Sequence, residues 1–309
     1  MRVLFWGTPE FALPALRALE EEGHDVVGVV TQPDRPAGRG RQPSASPVKR
    51  YAADEMIPVL QPERPAGEHF LQQMRELDPE ISVVVAYGQI LEPEVLGLPQ
   101  NGSVNIHASL LPELRGAAPV HWAIIHGYQT TGVTIMQMDA GLDSGPILFQ
   151  VPEPISPDES VSDLYLRLAQ IGAEALIEAL ALMEIGEITP QPQDAERATY
   201  APKLDRERAR LDWSLPALQV TRWVRGLDGV PGAWSRLNGD QPVKLFSPRI
   251  EMHAGEPGEV LAIDTDVGVL IAAGHDAVRI REVQPPGKRR MQAGEWIRGR
   301  GVKVGDRFT

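Results

Sequence analysis

The 309-residue sequence predicts an α/β chain, with a Rossmann-like, mostly parallel sheet domain followed by a smaller β-barrel domain. Three observations carry that prediction. The chain opens as strand, helix, strand over Arg2–Trp6, Phe11–Glu22 and Val26–Thr31, a βαβ unit that calls for a parallel sheet. Ile81–Ala86 is a continuous apolar run of the kind buried on both faces in a central parallel strand. Beyond Asp205 the pattern shifts to short β-like pieces separated by Gly, Pro and Asp, as in a small barrel. The length also exceeds what one hydrophobic core usually serves. The expected boundaries are a first domain over 1–184, a linker over 185–204 and a second domain over 205–309.

Each element follows from local chemistry. The first turn reads Gly7-Thr-Pro-Glu rather than G-x-G-x-x-G, which argues against a nicotinamide dinucleotide, and Gly23 ends the first helix. Gln32–Pro47 has no periodicity and is expected as a long loop. Residues 32–50 carry Arg35, Arg39, Arg41, Lys49 and Arg50 against Asp34 alone. That composition fits either a solvated surface loop or a basic finger that orders on a phosphate backbone. Ser46-Pro47 caps a helix to about Glu55, Pro58–Leu60 is a short strand, and residues 68–77 are helical. Ser103–Ile106 is a strand, Pro119–His126 a short helix and Gly132–Met138 another strand. Ser160 with Asp163 opens a helix to about Met183 that aligns Leu164, Leu168, Ile171 and Ala175. Polar, proline-bearing residues then form the expected linker. After a helical start over Leu215–Val224, strands are expected at Val243–Phe246, Gly258–Ala262, Gly268–Ala272 and Ala277–Val283, with a basic loop over Gln284–Met291.

Composition excludes several classes. There is no cysteine, hence no disulfide, zinc–thiolate site or thiol nucleophile. No apolar run is long enough to span a bilayer, and the opening MRVLFWG enters a strand directly, so a soluble cytoplasmic protein is expected. His121 and His126 are five apart and do not share a helix face, so no metal site is expected. The net charge of −12 argues against a general nucleic-acid binder. Its distribution is uneven: residues 205–309 hold 17 Lys and Arg against 14 Asp and Glu, while residues 1–204 hold 13 against 28. A slightly basic second domain on an acidic chain permits RNA contact.

The chemistry concentrates in Asn105–Gly116. On a strand, Asn105 and His107 share one face, and the Leu-Leu-Pro corner and Arg-Gly turn stop that strand, so both lie at its carboxyl end. In open α/β sheets ligands bind at that end. About thirty residues on, a second strand runs into a Gly-rich loop carrying Asp139 and Asp143. Taken singly, each residue has an ordinary explanation as turn former, cap or satisfied hydrogen-bonding group. Together, a neutral amide, an imidazole and a carboxylate suit acyl transfer.

The N-x-H pair with S-L-L-P-x-x-R-G (Asn105, His107 and Ser109–Gly116) and the partner D-x-G-x-D-x-G (Asp139–Gly145) resemble the formyltransferases that use 10-formyltetrahydrofolate. GTPEFA at Gly7–Ala12, TQPDRPAGRGR at Thr31–Arg41, GAAPV at Gly116–Val120, GVTIMQMDAGLDSG at Gly132–Gly145 and QPPGKRRM at Gln284–Met291 narrow the resemblance to the methionyl-tRNA formyltransferase family, over nearly the whole chain. One departure is Ala108, where Gly or Pro is common in the group; its side chain points away from the Asn105/His107 face.

The resemblance implies an OB-like second domain and formyl transfer from 10-formyltetrahydrofolate to the α-amino group of methionyl initiator tRNA. It implies Asn105, His107 and Asp143 as catalytic residues. Asn105 offers an amide donor that never titrates, and His107 adds a donor when protonated, with Asp143 as its natural partner. It implies folate contacts from Ser109, Leu110, Leu111 and Pro112, with Gln89, Ile90, Leu91, Asp139 and Gly141 opposite. For the tRNA it implies Arg35, Arg39, Arg41 and Lys49 in the finger and Lys288, Arg289 and Arg290 in the barrel loop. A metal-free monomer with no membrane partner is expected. Two readings compete: the same chemistry on a small amine or on water, and a non-catalytic RNA-binding module.

Overall fold

The computed structural model describes residues 1–37 and 42–309, and the chain divides into two compact units. The first comprises Met1–Pro119, Thr130–Pro154 and Tyr165–Ala201. Its strands are β1 (Arg2–Gly7), β2 (Asp25–Val30), a hairpin of β3 (Arg35–Ala37) and β4 (Gln42–Ser44), β5 (Val59–Leu60), β6 (Ile81–Val85), β7 (Ser103–His107), β8 (Thr130–Gln137) and β9 (Ile147–Pro154). Seven of them form one sheet in the order β5-β2-β1-β6-β7-β8-β9. Pairing is parallel from β5 through β7 and antiparallel for β7 with β8 and β8 with β9. The helices along this part of the chain are α1 (Leu13–Glu21), α2 (Pro47–Asp54), α3 (Glu68–Leu77), α4 (Pro93–Leu96), α5 (Pro119–His126) and α6 (Val161–Glu184).

The apolar run of β1 explains the core. Trp6 is fully buried, edge-on to Phe70 and Tyr87 at 5.8 and 5.2 Å, and its indole N–H donates to Ser82 Oγ at 3.1 Å. A buried indole contributes most when its one polar atom is satisfied, as here. Ser160 opens α6 as expected: the Asp163 amide donates to Ser160 Oγ at 3.3 Å, and Ser160 Oγ donates to Asp163 Oδ2 at 2.7 Å. None of the described helices is long and apolar enough to cross a membrane.

In the first unit, three differences from the sequence reading have physical causes. The stretch expected as an aperiodic loop contains the β3–β4 hairpin, whose three-residue strands are too short to show alternation. β9 escapes a reading by pattern because Pro152 and Pro154 interrupt it; its place at the sheet edge tolerates residues that cannot donate to a ladder. The stretch expected as a linker is tied to the first unit. Gln191 bridges Ile147, Tyr200 bridges Arg115, and the Ala201 amide donates to Arg115 O at 2.7 Å.

The second unit comprises Val120–Gln129, Ile155–Leu164 and Pro202–Thr309. It contains nearly all of α5, then α7 (Ala217–Gly226), strands β10 (Trp234–Leu237), β11 (Gln241–Glu251), β12 (Val260–Asp264), β13 (Gly268–Ala272), β14 (Ala277–Gln284) and β15 (Met291–Gln292), and α8 (Ala293–Arg298). The antiparallel order is β10-β11-β14-β13-β12, with β15 on β14. β11 runs past the expected Val243–Phe246: Ser247, with φ of 51°, and Pro248 interrupt the sequence pattern, but pairing with β14 resumes at Pro248 and continues to Glu251. The segment Asp306–Thr309 bonds both edges of this sheet. Arg236 and Asn238 donate to Thr309 and Arg307 carbonyls, and Val260 donates to Asp306 while Phe308 donates to Gly258. Closing a sheet in this way removes its open edges.

His121, on α5 in this unit, gives a pH prediction. Burial lowers its pKa from 6.5, only partly opposed by a backbone hydrogen bond to Val230. Because the folded pKa lies below the unfolded one, the unfolded chain binds the proton first, and the associated stability is lost as pH falls below about 6.5. Chemical unfolding midpoints are expected to drop on acidification from about pH 7.5 to 5.5, and His121→Gln to flatten that slope.

Candidate active site

β7 ends where expected, and its last residues bring Asn105 and His107 to one face two positions apart. His107 is 5% exposed, and Asn105 is half-buried with no side-chain hydrogen bond among the described residues. His107 Nε2 lies 3.0 Å from Leu114 O. A carbonyl can only accept, so this contact assigns the proton to Nε2 and leaves Nδ1 as the nitrogen available for chemistry. Nδ1 faces Asp143 Oδ2 at 3.7 Å. The same carboxylate oxygen accepts from the Gly116 amide at 2.8 Å. The structure therefore brings His107 and Asp143 together, with Asn105 beside His107 on the same strand face.

The turn after β7 is held from several sides. The Leu111–Pro112 peptide is cis, and Leu114 and Gly116 have φ of 59° and 116°. Thr134 Oγ1 donates to Ser109 O at 2.6 Å and accepts from the Leu111 amide at 3.1 Å, while Gln150 Nε2 donates to Leu111 O at 3.0 Å. A Cβ at Gly116 would stand 2.9 Å from Ala201 O, in a backbone region that L residues rarely adopt. Gly116→Ala is expected to destabilise the protein by about 1–3 kcal/mol. Denaturant titration checks this; an unchanged midpoint would mean the turn relaxes freely.

The folate candidates divide. Ser109, Leu111, Pro112 and Leu91 are buried, and Leu91, 4% exposed, packs in the core with Trp6 and Tyr87. Ser109 Oγ donates to Glu113 O at 2.6 Å. Leu110 is half-buried, and Gln89 Nε2 donates to Gln32 Oε1 and Glu63 O, both at 3.1 Å. Ile90 is 82% exposed, and Leu142, in the loop after β8, 54%. Asp139 works within its own loop, accepting from the Gly141 amide at 2.9 Å and Ser144 Oγ at 3.0 Å.

The basic candidates divide too. Arg39 and Arg41 lie outside the described residues. Lys49 Nζ pairs with Asp34 Oδ2 at 2.7 Å, and that hydrogen bond is the main reason the Asp34 carboxyl is held below its usual range. Arg289 pairs with Glu295 at 3.0 Å, and Arg290 with Asp228 at 2.6 Å and Glu282 at 2.5 Å, over the Phe246 ring. Arg35 and Lys288 are exposed and have no carboxylate partner among the described residues. Exposed pairs contribute little and exchange readily, whereas Arg290, with two carboxylates and a ring, is held in place. Among the described residues no cluster of His, Asp and Glu could hold a metal ion.

Sequence reasoning misses the backbone contributors Leu114 O and Gly116 N–H, which leave no side-chain signature, and it misses Gln193. That side chain lies in the expected linker, yet its Nε2 donates to Asp143 O at 2.9 Å and Gly145 O at 2.7 Å.

Comparison with known proteins assigns the class. Residues 1–180 match the family described as formyl transferase, and residues 203–301 the formyl transferase C-terminal domain. The methionyl-tRNA formyltransferase of Aromatoleum aromaticum is 47% identical over 308 residues, covering 100% of this chain and 97% of that protein. The Thermobifida fusca protein of the same name is 46% identical over 310 residues, covering 100% and 99%. The chain belongs to the methionyl-tRNA formyltransferase family. Among solved structures, HypX from Aquifex aeolicus superposes with a TM-score of 0.69 at 23% identity, over 96% of this chain and 48% of that one. An N-formyltransferase from Helicobacter canadensis gives 0.68 at 16% identity, over 91% and 99%. At those identities the likeness shows the shared fold.

Proposed function

We propose that the protein transfers a formyl group from 10-formyltetrahydrofolate to the α-amino group of methionyl initiator tRNA by direct attack through a tetrahedral intermediate. The observation that carries this reading is the facing of His107 Nδ1 and Asp143 Oδ2 at 3.7 Å beside the uncommitted amide of Asn105. The naming of relatives 42–47% identical over essentially their full length supports the acceptor, and a HypX structure solved in complex with tetrahydrofolic acid supports the donor class.

The residues supply what amine attack on a formyl carbon demands. Negative charge grows on the formyl oxygen, and the Asn105 amide, free of internal partners among the described residues, donates to it without titrating. The attacking amine must lose a proton as its C–N bond forms. Asp143 accepts that proton with His107 beside it, and Gly116 N–H keeps the carboxylate aimed. The proton then passes to the folate nitrogen as its bond to the formyl carbon breaks. No serine, cysteine or other covalent nucleophile is needed. The exposed Ile90 and the loop carrying Leu142 fit the apolar face of a pterin better than the buried Leu91 does, because only exposed side chains gain by covering a ligand. Arg35 and Lys288, with Arg39 and Arg41, are assigned to the tRNA backbone, giving steep salt dependence. The first domain is assigned the chemistry and the second RNA contact, in the cytoplasm, by a monomer without metal.

The test is transfer of labelled formyl groups to charged initiator tRNA, with uncharged tRNA, glycinamide ribonucleotide and an amino sugar nucleotide as competing acceptors. Labelled methionyl-tRNA alone is expected; preferential labelling of a small amine would replace the acceptor, and labelled formate would make the protein a hydrolase.

A further inference from the structure

Leu114, Arg115 and Gly116 are consecutive, and all three serve the His107–Asp143 pair by different routes. Leu114 O receives His107 Nε2 at 3.0 Å, and the Gly116 amide donates to Asp143 Oδ2 at 2.8 Å. Arg115 turns the other way. Its Nε and Nη2 donate to Gln193 Oε1 at 3.1 and 2.7 Å, and Gln193 Nε2 donates in turn to the carbonyls of Asp143 and Gly145 at 2.9 and 2.7 Å. Asp143 is thus held at its carboxylate by Gly116 and at its own backbone by the Arg115–Gln193 relay.

Two features mark this relay as more than packing. Arg115 is 7% exposed, yet it has no carboxylate within ion-pair distance among the described residues, and its hydrogen-bond partner is a neutral amide. A buried guanidinium without a carboxylate partner costs stability, and here it is hydrogen-bonded to a single side-chain amide, which it holds and polarises. The amide orientation is also unambiguous: guanidinium can only donate and carbonyls can only accept, so Gln193 fits one way round. The second feature is the backbone of Asp143, whose φ of 48° is uncommon for a non-glycine residue. Such conformations persist where surrounding contacts over-determine them, and the paired grip on the Asp143 and Gly145 carbonyls does so.

We propose that Gln193, oriented by buried Arg115, is a positioning residue that sets the height and direction of the Asp143 carboxylate against His107 and the reacting amine. This role rests on the formyl-transfer reading above. The segment around Gln193, which reads as a linker, then belongs to the catalytic apparatus, and the Arg-Gly that closes S-L-L-P-x-x-R-G acts on Asp143 through both of its residues.

Gln193→Glu separates positioning from packing, because a carboxylate still accepts from Arg115 but cannot donate to either carbonyl. Its kcat for formyl transfer is expected to fall about 10–100-fold, by analogy with the loss that follows removal of the hydrogen-bond partner orienting a metal ligand. KM for both substrates is expected to stay within about threefold, with a displaced acidic limb in the pH–rate profile and little change in Tm. Amide hydrogen exchange in residues 139–146 is expected to quicken while that of β1 and β6 stays unchanged. Arg115→Lys, which keeps the charge and loses the fork, is expected to give the same pattern more weakly. Wild-type kcat and pH profile in Gln193→Glu would overturn the proposal. So would a loss of kcat matched by lower Tm and faster exchange throughout the unit. If the wild-type chain transfers formyl to no amine, the functional reading fails instead, and the exchange pattern alone decides whether the clamp exists.

Discussion

Asn105→Ala is expected to lower kcat for formyl transfer by about 10²–10³-fold, the loss typical of removing one preorganised oxyanion donor. The expectation follows from what Asn105 does not do. Half-buried at the end of β7, its amide has no internal hydrogen bond among the described residues, so truncation leaves no partner orphaned and little stability to lose. The effect should therefore fall on the transition state alone. Because the formyl oxygen gains its charge only as the amine attacks, KM should change little and kcat should carry the loss. Steady-state kinetics with a parallel Tm measurement separates these. A variant that keeps kcat within a few-fold would remove Asn105 from the oxyanion role.

Asp143→Asn is expected to cost about 10²–10⁴ in kcat, the range for a positioned general base. The amide oxygen can still accept from the Gly116 N–H, now made to Oδ2 at 2.8 Å, so the side chain stays in place while its charge and basicity vanish. Substrate affinities and the unfolding midpoint should stay close to wild type. If activity instead returned fully at high pH, solvent would be taking the amine proton and Asp143 would not be the base.

Much of the site is legible in the sequence because strand geometry is local. The two-residue spacing of Asn105 and His107 fixes a common face, and the corner at Leu110–Pro112 fixes the carboxyl end of the strand. Asp143 is legible as a polar residue in a Gly-rich loop, but its meeting with His107 depends on β7 and β8 pairing antiparallel. The Arg115–Gln193 relay is not legible. Its partners are 78 residues apart, and Gln193 sits in a polar, proline-bearing stretch whose composition signals a linker. β9 and the long β11 are hidden by prolines that edge positions and kinks tolerate. The individual fates of Lys49, Arg289 and Arg290 are equally hidden, because a run of basic residues does not reveal which of them already have acidic partners.

Joint action of Asn105, His107 and Asp143 on one formyl carbon is the central claim, and a structure with a stable analogue of the formyl donor tests it most directly. The formyl oxygen is predicted to lie within about 3 Å of Asn105 Nδ2, with room on the Asp143 side for an incoming amine. A formyl group seated beyond hydrogen-bond reach of Asn105, or turned away from the His107–Asp143 pair, would contradict it.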